Sequence, residues 1–317
     1  MRKLSVLFLF VFSLTSCDDG DIITTELTFD DTFQACGDLV LYKVKTDPNE
    51  TLSLQLSNAN FTMADLILTE PISNGSLVEQ LQANETTEFS VAGALKYRSY
   101  TSDPSNFFCN DVPPNGIQIT QEFTSTSGTG KFTMELVEDD NDGVPAEMED
   151  INGNGDLYDD DTDGDLIPNF LDVDDDGDNV LTVTELTDFD GNDDDDNPLT
   201  NPEDTDGDGI PNYLDDDDDN DSVPTRNEEG NSQDNNPTND ISDNDFGPDY
   251  LNPVFTFDFA PTSFREHTIQ QKFTVNLLLE NIQFPEIIYD ETDFGTLTTV
   301  DGVDILNDER TVTPPFI

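Results

Sequence analysis

The acidic loop D-T-D-G-D-G-I-P-N-Y-L-D, residues 204–215, decides how the middle of this 317-residue chain folds. It places carboxylates at loop positions 1, 3, 5 and 12 and a glycine at position 6. Ca²⁺ takes several oxygen ligands in flexible geometry, so alternate side chains of a tightly curved loop can converge on one ion. A second copy, D-T-D-G-D-L-I-P-N-F-L-D, occupies residues 161–172, 43 residues earlier. Such an internal repeat predicts calcium sites and not an unstructured acidic spacer.

Each of these loops is followed by a second acidic loop that ends in a glutamate. A third copy of this second type precedes both pairs, at residues 138–149, and a weaker loop starts at Asp150. The spacing predicts that the five well-formed loops bind several Ca²⁺ ions. The predicted metal ligands are Glu138, Asp140, Asp142, Glu149, Asp161, Asp163, Asp165, Asp172, Asp174, Asp176, Asp178, Glu185, Asp204, Asp206, Asp208, Asp215, Asp217, Asp219, Asp221 and Glu228.

The arrangement of the loops indicates which kind of calcium motif they form. EF-hand and dockerin-like pairs need flanking helices, but Asp172 ends one loop and Asp174 begins the next. Over residues 138–229 the alternating loops, and Asp-Thr-Asp-Gly-Asp-Gly-Ile-Pro-Asn in particular, resemble bacterial thrombospondin type 3 repeats. The resemblance implies loops wrapped around calcium, ligands shared between neighbours and little hydrophobic core. Leu166, Asn179 and Ser222 stand where that family prefers glycine, so the loop around Leu166 is expected to be weaker or differently bent.

Period-2 patterns on both sides of the acidic segment predict β-strands. Leu52, Leu54 and Leu56 alternate with polar residues, as do Phe273 and Val275. We therefore expect a mainly β protein. Its regions are a β-sandwich-like domain at 17–137, the irregular calcium-wrapped repeats at 138–229, a flexible linker at 230–249 and a C-terminal β-rich region at 250–317. The last region either forms a small second domain or adds strands to the first.

The first residues are typical of an export signal. A basic start precedes an apolar run, Leu4 to Leu14, that is too short to span a membrane. Leu14-Thr15-Ser16-Cys17 resembles the lipobox of bacterial lipoproteins, which implies removal of residues 1–16, acyl chains such as palmitate on Cys17 and a membrane anchor. The following Asp18-Asp19-Gly20-Asp21 resembles the surface-export tag of Bacteroidetes lipoproteins, which implies exposure at the cell surface on the outer membrane.

Two further cysteines, Cys36 and Cys109, remain in a chain that leaves the cytoplasm. A pair of cysteines in an oxidising compartment predicts a disulfide, which here would tie an early strand to a loop late in the first domain. The alternative is two separate buried thiols.

The charge of −60 excludes nucleic acid as a partner, because phosphate contacts need Lys and Arg. Residues 138–249 hold 42 of the 71 acidic residues and one basic residue, Arg226. Adsorption to anionic lipid is disfavoured for the same reason, so the acyl chains would provide the anchor.

No nucleophile motif, phosphate-binding loop or His-rich or Cys-rich metal cluster appears in the sequence. The single histidine, His267, is interpreted as a surface residue before a strand. We therefore expect a calcium-binding, lipid-anchored structural or adhesive protein and not an enzyme. The alternative is an accessory lipoprotein of an uptake system whose β-regions bind a surface glycan, a peptide or a protein.

Overall fold

The predicted period-2 segments form strands, and the prediction of a mainly β protein is confirmed. The computed structural model describes residues 28–37, 40–56, 62–73, 75–82, 86–110, 112, 114–186, 202–230, 232–259, 261–285 and 288–315. Cys17 and the signal peptide at 1–16 lie outside these residues. The strands are Thr32–Cys36 (β1), Val40–Thr46 (β2), Asn49–Gln55 (β3), Thr69–Pro71 (β4), Glu79–Leu81 (β5), Thr86–Ser90 (β6), Leu95–Tyr100 (β7), Ile119–Thr124 (β8), Ser127–Asp139 (β9), His267–Gln283 (β10), Ile288–Val300 (β11) and Asn307–Val312 (β12).

Ten of these strands form one mixed sheet in the order β6-β9-β10-β11-β1-β2-β3-β7-β8, with β12 also paired to β10. The pairing of β1 with β11 is parallel. Only two residues, Ser125 and Thr126, connect β8 at one edge to β9 near the other edge. In a flat sheet those strands would be about 34 Å apart, since neighbouring strands are spaced by about 4.8 Å. The sheet therefore curls over until its two ends meet around a shared core.

The C-terminal strands belong to the same sheet as the N-terminal strands. β10 pairs with β9 along its length, and β11 pairs with β1. Residues 250–317 thus contribute strands to the first β-domain, which settles the choice that the sequence left open. The core contains buried side chains from both parts of the chain, for example Phe33 and Phe294, whose rings meet edge to face at 5.3 Å.

The predicted disulfide is confirmed. Cys36, the last residue of β1, is bonded to Cys109, and their Cα atoms are 5.2 Å apart. The bond fixes the 101–110 segment against the sheet, where the Phe108 ring stacks on Tyr42 at 4.4 Å.

The acidic repeats are an insertion between two paired strands. Asp139 at the end of β9 lies opposite Gln270 near the start of β10. Within the insertion the structure contains one α-helix, Thr182–Glu185 (α1), and short 3-10 helices among its described residues. The 3-10 helices among the described residues are Ala64–Leu66, Ala146–Met148, Leu157–Asp159, Asn169–Leu171, Asn212–Leu214, Thr225–Asn227, Pro237–Asn239 and Asp249–Leu251.

A small second core fixes the first repeat to the sheet. Ile167, Phe170 and Leu171 pack with Ile269 of β10 and Val78. The equivalent Ile210 of the second copy is 45% exposed, so the same sequence motif serves as an anchor in one repeat and faces solvent in the other. Residues 230–249, predicted to be a flexible linker, instead contain a 3-10 helix, Pro237–Asn239, and run into another at Asp249–Leu251.

Candidate metal centres

Each acidic loop is shaped by hydrogen bonds from its own backbone to its aspartates. The N–H of Asp165 donates to Asp163 Oδ1 at 3.0 Å, and the N–H of Ile167 donates to Asp165 Oδ1 at 2.7 Å. Asp206 and Asp208 accept equivalent bonds at 2.9 and 2.8 Å. Short acidic side chains favour such turns because they accept from the backbone two residues on. One oxygen of each aspartate therefore shapes the loop; the second oxygen of Asp165 is buried without a partner among the described residues, and that of Asp206 accepts from Asn220 Nδ2 at 2.7 Å.

A threonine–asparagine pair closes each loop of the first type. The N–H of Thr162 donates to Asn169 Oδ1 at 2.9 Å, and Asn169 Nδ2 donates to the Thr162 hydroxyl at 2.9 Å. Thr205 and Asn212 make the same two bonds at the same distances. This clamp explains the conserved spacing of the Thr and Asn in the two copies.

The position that the family fills with glycine has a positive φ in every loop of the two pairs. It is 83° at Leu166, 72° at Asn179 and 79° at Ser222, compared with 100° at Gly209. The expectation that the loop around Leu166 is differently bent is therefore wrong. A left-handed conformation costs a residue with a Cβ about 1–2 kcal/mol, so the Leu166 loop keeps its shape at the expense of strain.

Four buried acids from two different repeats form what we call the central cluster: Asp176, Asp178, Glu185 and Asp218. Their ligand oxygens all lie within 4.8 Å of one another. Both carboxylate oxygens of Glu185 and of Asp218 lack a hydrogen-bond partner among the described residues, as does Oδ2 of Asp178. Burial first, and then neighbouring carboxylates, raise the pKa values of Asp176, Asp178 and Glu185 well above the ordinary range and that of Asp218 to about 9.

A first cluster of the same kind contains Asp140, Asp142 and Glu149, all buried and with ligand oxygens within 4.8 Å. Asp175 faces it from the next repeat: it is 1% exposed, neither of its oxygens has a partner in the described structure, and its pKa is raised well above the ordinary value. Burial is the main cause, followed by the charges of Glu149, Asp172, Asp142 and Asp140. Burial likewise raises the pKa of Glu149 to about 8 and that of Asp140 to about 10.

A third cluster is centred on Glu228, which is fully buried with both oxygens unpartnered in the described part of the chain. Burial, and then the charges of Asp219, Asp221 and Asp217, raise the pKa of Glu228 to about 10. One oxygen of each of those three aspartates is also buried without a partner. The third cluster thus assembles the ligands predicted for the loop at 217–228.

The two loops of the first type form more open clusters. Asp161, Asp163 and Asp165 lie within 4.8 Å of one another through their ligand oxygens, and so do Asp204, Asp206 and Asp208. The residue at position 12 lies within electrostatic reach of each cluster. Burial, and then the charges of the three loop aspartates, raise the pKa of Asp172 well above its ordinary value. Burial also raises the pKa of Asp215, with a contribution from Asp208 and Asp206.

Position 1 of these loops is occupied by backbone contacts. Asp161 accepts from the N–H groups of Gly164 and Leu166 at 2.8 and 3.2 Å. Asp204 accepts from Gly207 and Gly209 at 2.8 and 3.1 Å. These residues orient the loop, since both oxygens of each carboxylate accept a backbone N–H.

Glu138 requires a correction, because the structure places it away from the first cluster. It lies in β9, where Arg310 Nε is 2.7 Å from Glu138 Oε1 and Gln271 Nε2 donates to the same oxygen at 2.8 Å. The loop spacing predicted a metal ligand here, but the neighbouring strands supply an ion pair instead.

His267 also differs from the expectation of a surface residue. It is 2% exposed, and its Nδ1 lies 2.7 Å from Asp172 Oδ1. Burial lowers the pKa of His267, against the opposing effect of Asp174, Asp165 and Asp163. The contact joins the first residue of β10 to the boundary between two loops.

The sequence reasoning missed Asp175 and Asp218, the two acids that reach the cluster of the preceding repeat. Both stand at position 2 of a second-type loop and are 43 residues apart. Their backbone N–H groups make equivalent hydrogen bonds: that of Asp175 donates to the Thr182 hydroxyl and that of Asp218 to the Thr225 hydroxyl, both at 3.2 Å. The repeated run of consecutive aspartates at 174–176 and 217–219 was the signal that could have identified them.

Comparison with known proteins gives one partial similarity. A family model described as BamM C-terminal matches residues 139–193, which are 55 of the 317 residues. The matched segment starts at the end of β9 and includes the first cluster and the loops at 161–172 and 174–185. No curated protein and no solved structure matches the chain. Among the helices described here, none is long and apolar enough to cross a membrane.

Proposed function

We propose that this chain is a calcium-binding, lipid-anchored cell-surface protein with a structural or adhesive role and no catalytic activity. In this proposal the aspartate loops form an insertion in the β-domain that calcium orders. The observation that carries the proposal is the central cluster, in which four buried carboxylates converge and most of their oxygens accept no hydrogen bond within the described structure.

Electrostatics supports a bound cation at this cluster. Removing an ionised carboxylate from water costs several kcal/mol unless it is paired, and four such groups at close range repel one another. Protonation would relieve the repulsion, but unpartnered buried acids would still leave hydrogen-bonding capacity unused. A divalent cation satisfies both requirements, since it supplies charge and accepts the free lone pairs of all four residues.

The donor set favours calcium over transition metals. All the residues of the central cluster, the first cluster and the third cluster are carboxylates. Oxygen-only sites suit Ca²⁺, Mg²⁺ and Mn²⁺, whereas Zn²⁺ and Cu²⁺ prefer sulfur and imidazole. Magnesium demands near-ideal octahedral geometry and keeps water ligands, so a site made of several buried carboxylates on curved loops fits calcium better.

The position of the insertion changes the kind of structural role that we propose. Asp139 and Gln270 lie opposite each other, so the repeats leave and rejoin the sheet at the same place. A calcium-ordered segment of this topology projects from one edge of the domain and does not separate an N-terminal from a C-terminal domain. Its cluster at 204–208 is the more exposed of the two open clusters, and calcium there could also bridge to an acidic partner.

The proposed location rests on the N-terminal motif and the family similarity. Leu14 to Cys17 resembles a lipobox, and the match of residues 139–193 to the BamM C-terminal family points to an association with the outer membrane. A Cys17→Ser variant should lose palmitate labelling and move from the membrane to the soluble fraction. Surface exposure is tested separately by protease treatment of intact cells, with the periplasmic fraction as the control.

Calcium binding is tested on the mature chain carrying Cys17→Ser. Isothermal titration should detect several calcium ions, and magnesium should compete poorly. The matched variants are Asp178→Asn in the central cluster and Glu147→Gln at an exposed position beside the first cluster. We expect a loss of bound calcium with the first and none with the second. A wild-type chain that binds no calcium at millimolar concentration contradicts the proposal.

A further inference from the structure

Residues 229–230 and 232–240 are linked by close contacts directly after the last predicted loop. The Ser232 hydroxyl donates to Asp240 Oδ2 at 2.9 Å, and the N–H of Ser232 donates to the Glu229 carbonyl at 3.3 Å. Gly230 has a φ of 54°, and a Cβ at this position would lie 2.5 Å from Asp240 Oδ1. The Asp240 carboxylate therefore lies against the backbone next to Glu229.

Two buried oxygens of this segment have no hydrogen-bond partner among the described residues: Glu229 Oε1 and Asn235 Oδ1. Glu229 is fully buried, and its Oε2 accepts the N–H of Asn235 at 2.9 Å, so the carboxylate reaches the turn at 235. Asp240 is 8% exposed.

The unpartnered atoms are acceptors, and two of the three side chains are acids. A water molecule could donate to both oxygens, but it would not compensate the charge of Glu229 and Asp240 in a buried position. A cation would do both.

We propose that Glu229, Asn235 and Asp240 hold an additional divalent cation of the calcium type, in a segment where the repeat pattern of the sequence has lapsed. It is a separate ion from those of the central, first and third clusters. The inference rests on the proposed calcium function for the choice of metal.

The contacts of this site indicate what the ion does. Asn235 Nδ2 donates to the Ser263 hydroxyl at 2.8 Å, and the N–H of Phe259 donates to the Asn227 carbonyl at 2.7 Å. Residues 259–263 lead back to β10, which begins at His267. The additional ion would thus clamp the returning chain onto the end of the repeats.

The test is the number of calcium ions bound by the mature chain, measured by equilibrium dialysis with radiolabelled calcium. The variant Glu229→Gln with Asp240→Asn should bind one ion fewer than the wild type. The matched control, Asp245→Asn with Glu266→Gln, removes one Asp and one Glu charge from exposed positions and should bind the wild-type number. At saturating calcium the first variant should also become cleavable by chymotrypsin near Phe257, which is 62% exposed on the returning segment.

A second variant keeps the test decisive if the double variant fails to fold. Asn235 has a φ of 62°, so Asn235→Gly preserves the backbone and removes only the side-chain oxygen and amide. This variant should raise the dissociation constant of one bound calcium ion by about tenfold. An unchanged number and affinity of ions in these variants overturns the inference and favours a bridging water. If the wild type binds no calcium at all, the proposed function fails together with this site.

Discussion

Replacing Asp218 with asparagine distinguishes a cation ligand from an ordinary buried polar residue. Asp218 is 1% exposed, and both of its oxygens are unpartnered in the described structure. Asparagine has the same shape and no charge, so the substitution chiefly changes the electrostatics of the central cluster.

The sign of the effect depends on calcium. Two charges within 4.8 Å repel by at least about 3.5 kcal/mol at an effective dielectric constant of about 20. Asp218 takes part in three such repulsions when the calcium-free cluster is ionised. Where it is protonated instead, folding must supply the proton, because burial raises the pKa of Asp218 to about 9. In both cases Asp218→Asn should stabilise the calcium-free protein in mildly alkaline buffer. Calcium reverses the sign, because the variant loses one of four carboxylate ligands.

The loss with calcium can be estimated from linkage. A site with a dissociation constant of about 10⁻⁴ M contributes about 2.3 kcal/mol to the free energy of unfolding at about 5 mM calcium. If the variant binds about 30-fold more weakly, this contribution falls to about 0.6 kcal/mol. The calcium-induced gain in stability should therefore shrink by roughly 2 kcal/mol.

The assay is calorimetric unfolding of the mature chain in calcium and in chelator. Asp216→Asn is the control, because Asp216 is two residues away, carries the same charge and is exposed. This control should not shift the calcium-free and the calcium-loaded stability in opposite directions. An equal loss of stability in both conditions for Asp218→Asn would show that Asp218 is a structural polar group, and would refute the assignment of the central cluster.

Three shorter predictions concern strain, protons and the disulfide. Leu166→Gly should stabilise the calcium-loaded protein by about 1 kcal/mol in thermal unfolding, because glycine relieves the φ of 83°; Leu166→Val should destabilise it. Calcium binding should release protons near neutral pH, since burial raises the pKa of Asp163 to about 7 and that of Glu149 to about 8. The folded calcium-free protein then holds protons that the unfolded chain gives up, so its stability should fall as the pH rises from about 4 to about 8, and a rise would contradict these shifts. Replacing Cys36 and Cys109, 73 residues apart, by serine should cost about 4 kcal/mol in denaturant unfolding, while a cost near zero would exclude a role for the bond in stability.

The sequence was most informative where ligand spacing is local. Asp163 and Asp165 shape their loop through contacts within a few residues, so the repeat pattern alone identified them. Glu138 has the same spacing relative to its loop, but its environment depends on Arg310, 172 residues away. Pattern reading could not distinguish a free carboxylate from one that a distant strand neutralises.

Residues that join different repeats could not be predicted from the sequence for the same reason. Asp218 closes a cluster whose other members lie more than thirty residues earlier, and nothing in its immediate neighbours indicates which loop it faces. The pairing of β10 with β9 is likewise non-local, so the sequence predicted strands in 250–317 without showing that they complete the first sheet. Periodicity specifies which face of a strand is buried but not its neighbour.

The insertion topology leads to a last prediction about what chelation does to the β-domain. Closing a disordered loop between Asp139 and Gln270 costs about 4 kcal/mol of chain entropy. The sheet should stay folded despite this cost, because β9 and β10 pair over their length and bury Val275 and Leu277 completely. The contacts that calcium-ordered loops make with the start of β10 are different, since His267 meets Asp172 and Ile269 packs on Leu171. Chelator should therefore speed hydrogen exchange at 267–269 while 275–279 stays protected. Loss of protection along all of β10 would mean that the sheet depends on calcium as a whole, and that the repeats are part of the β-domain's folding unit instead of an appendage to it.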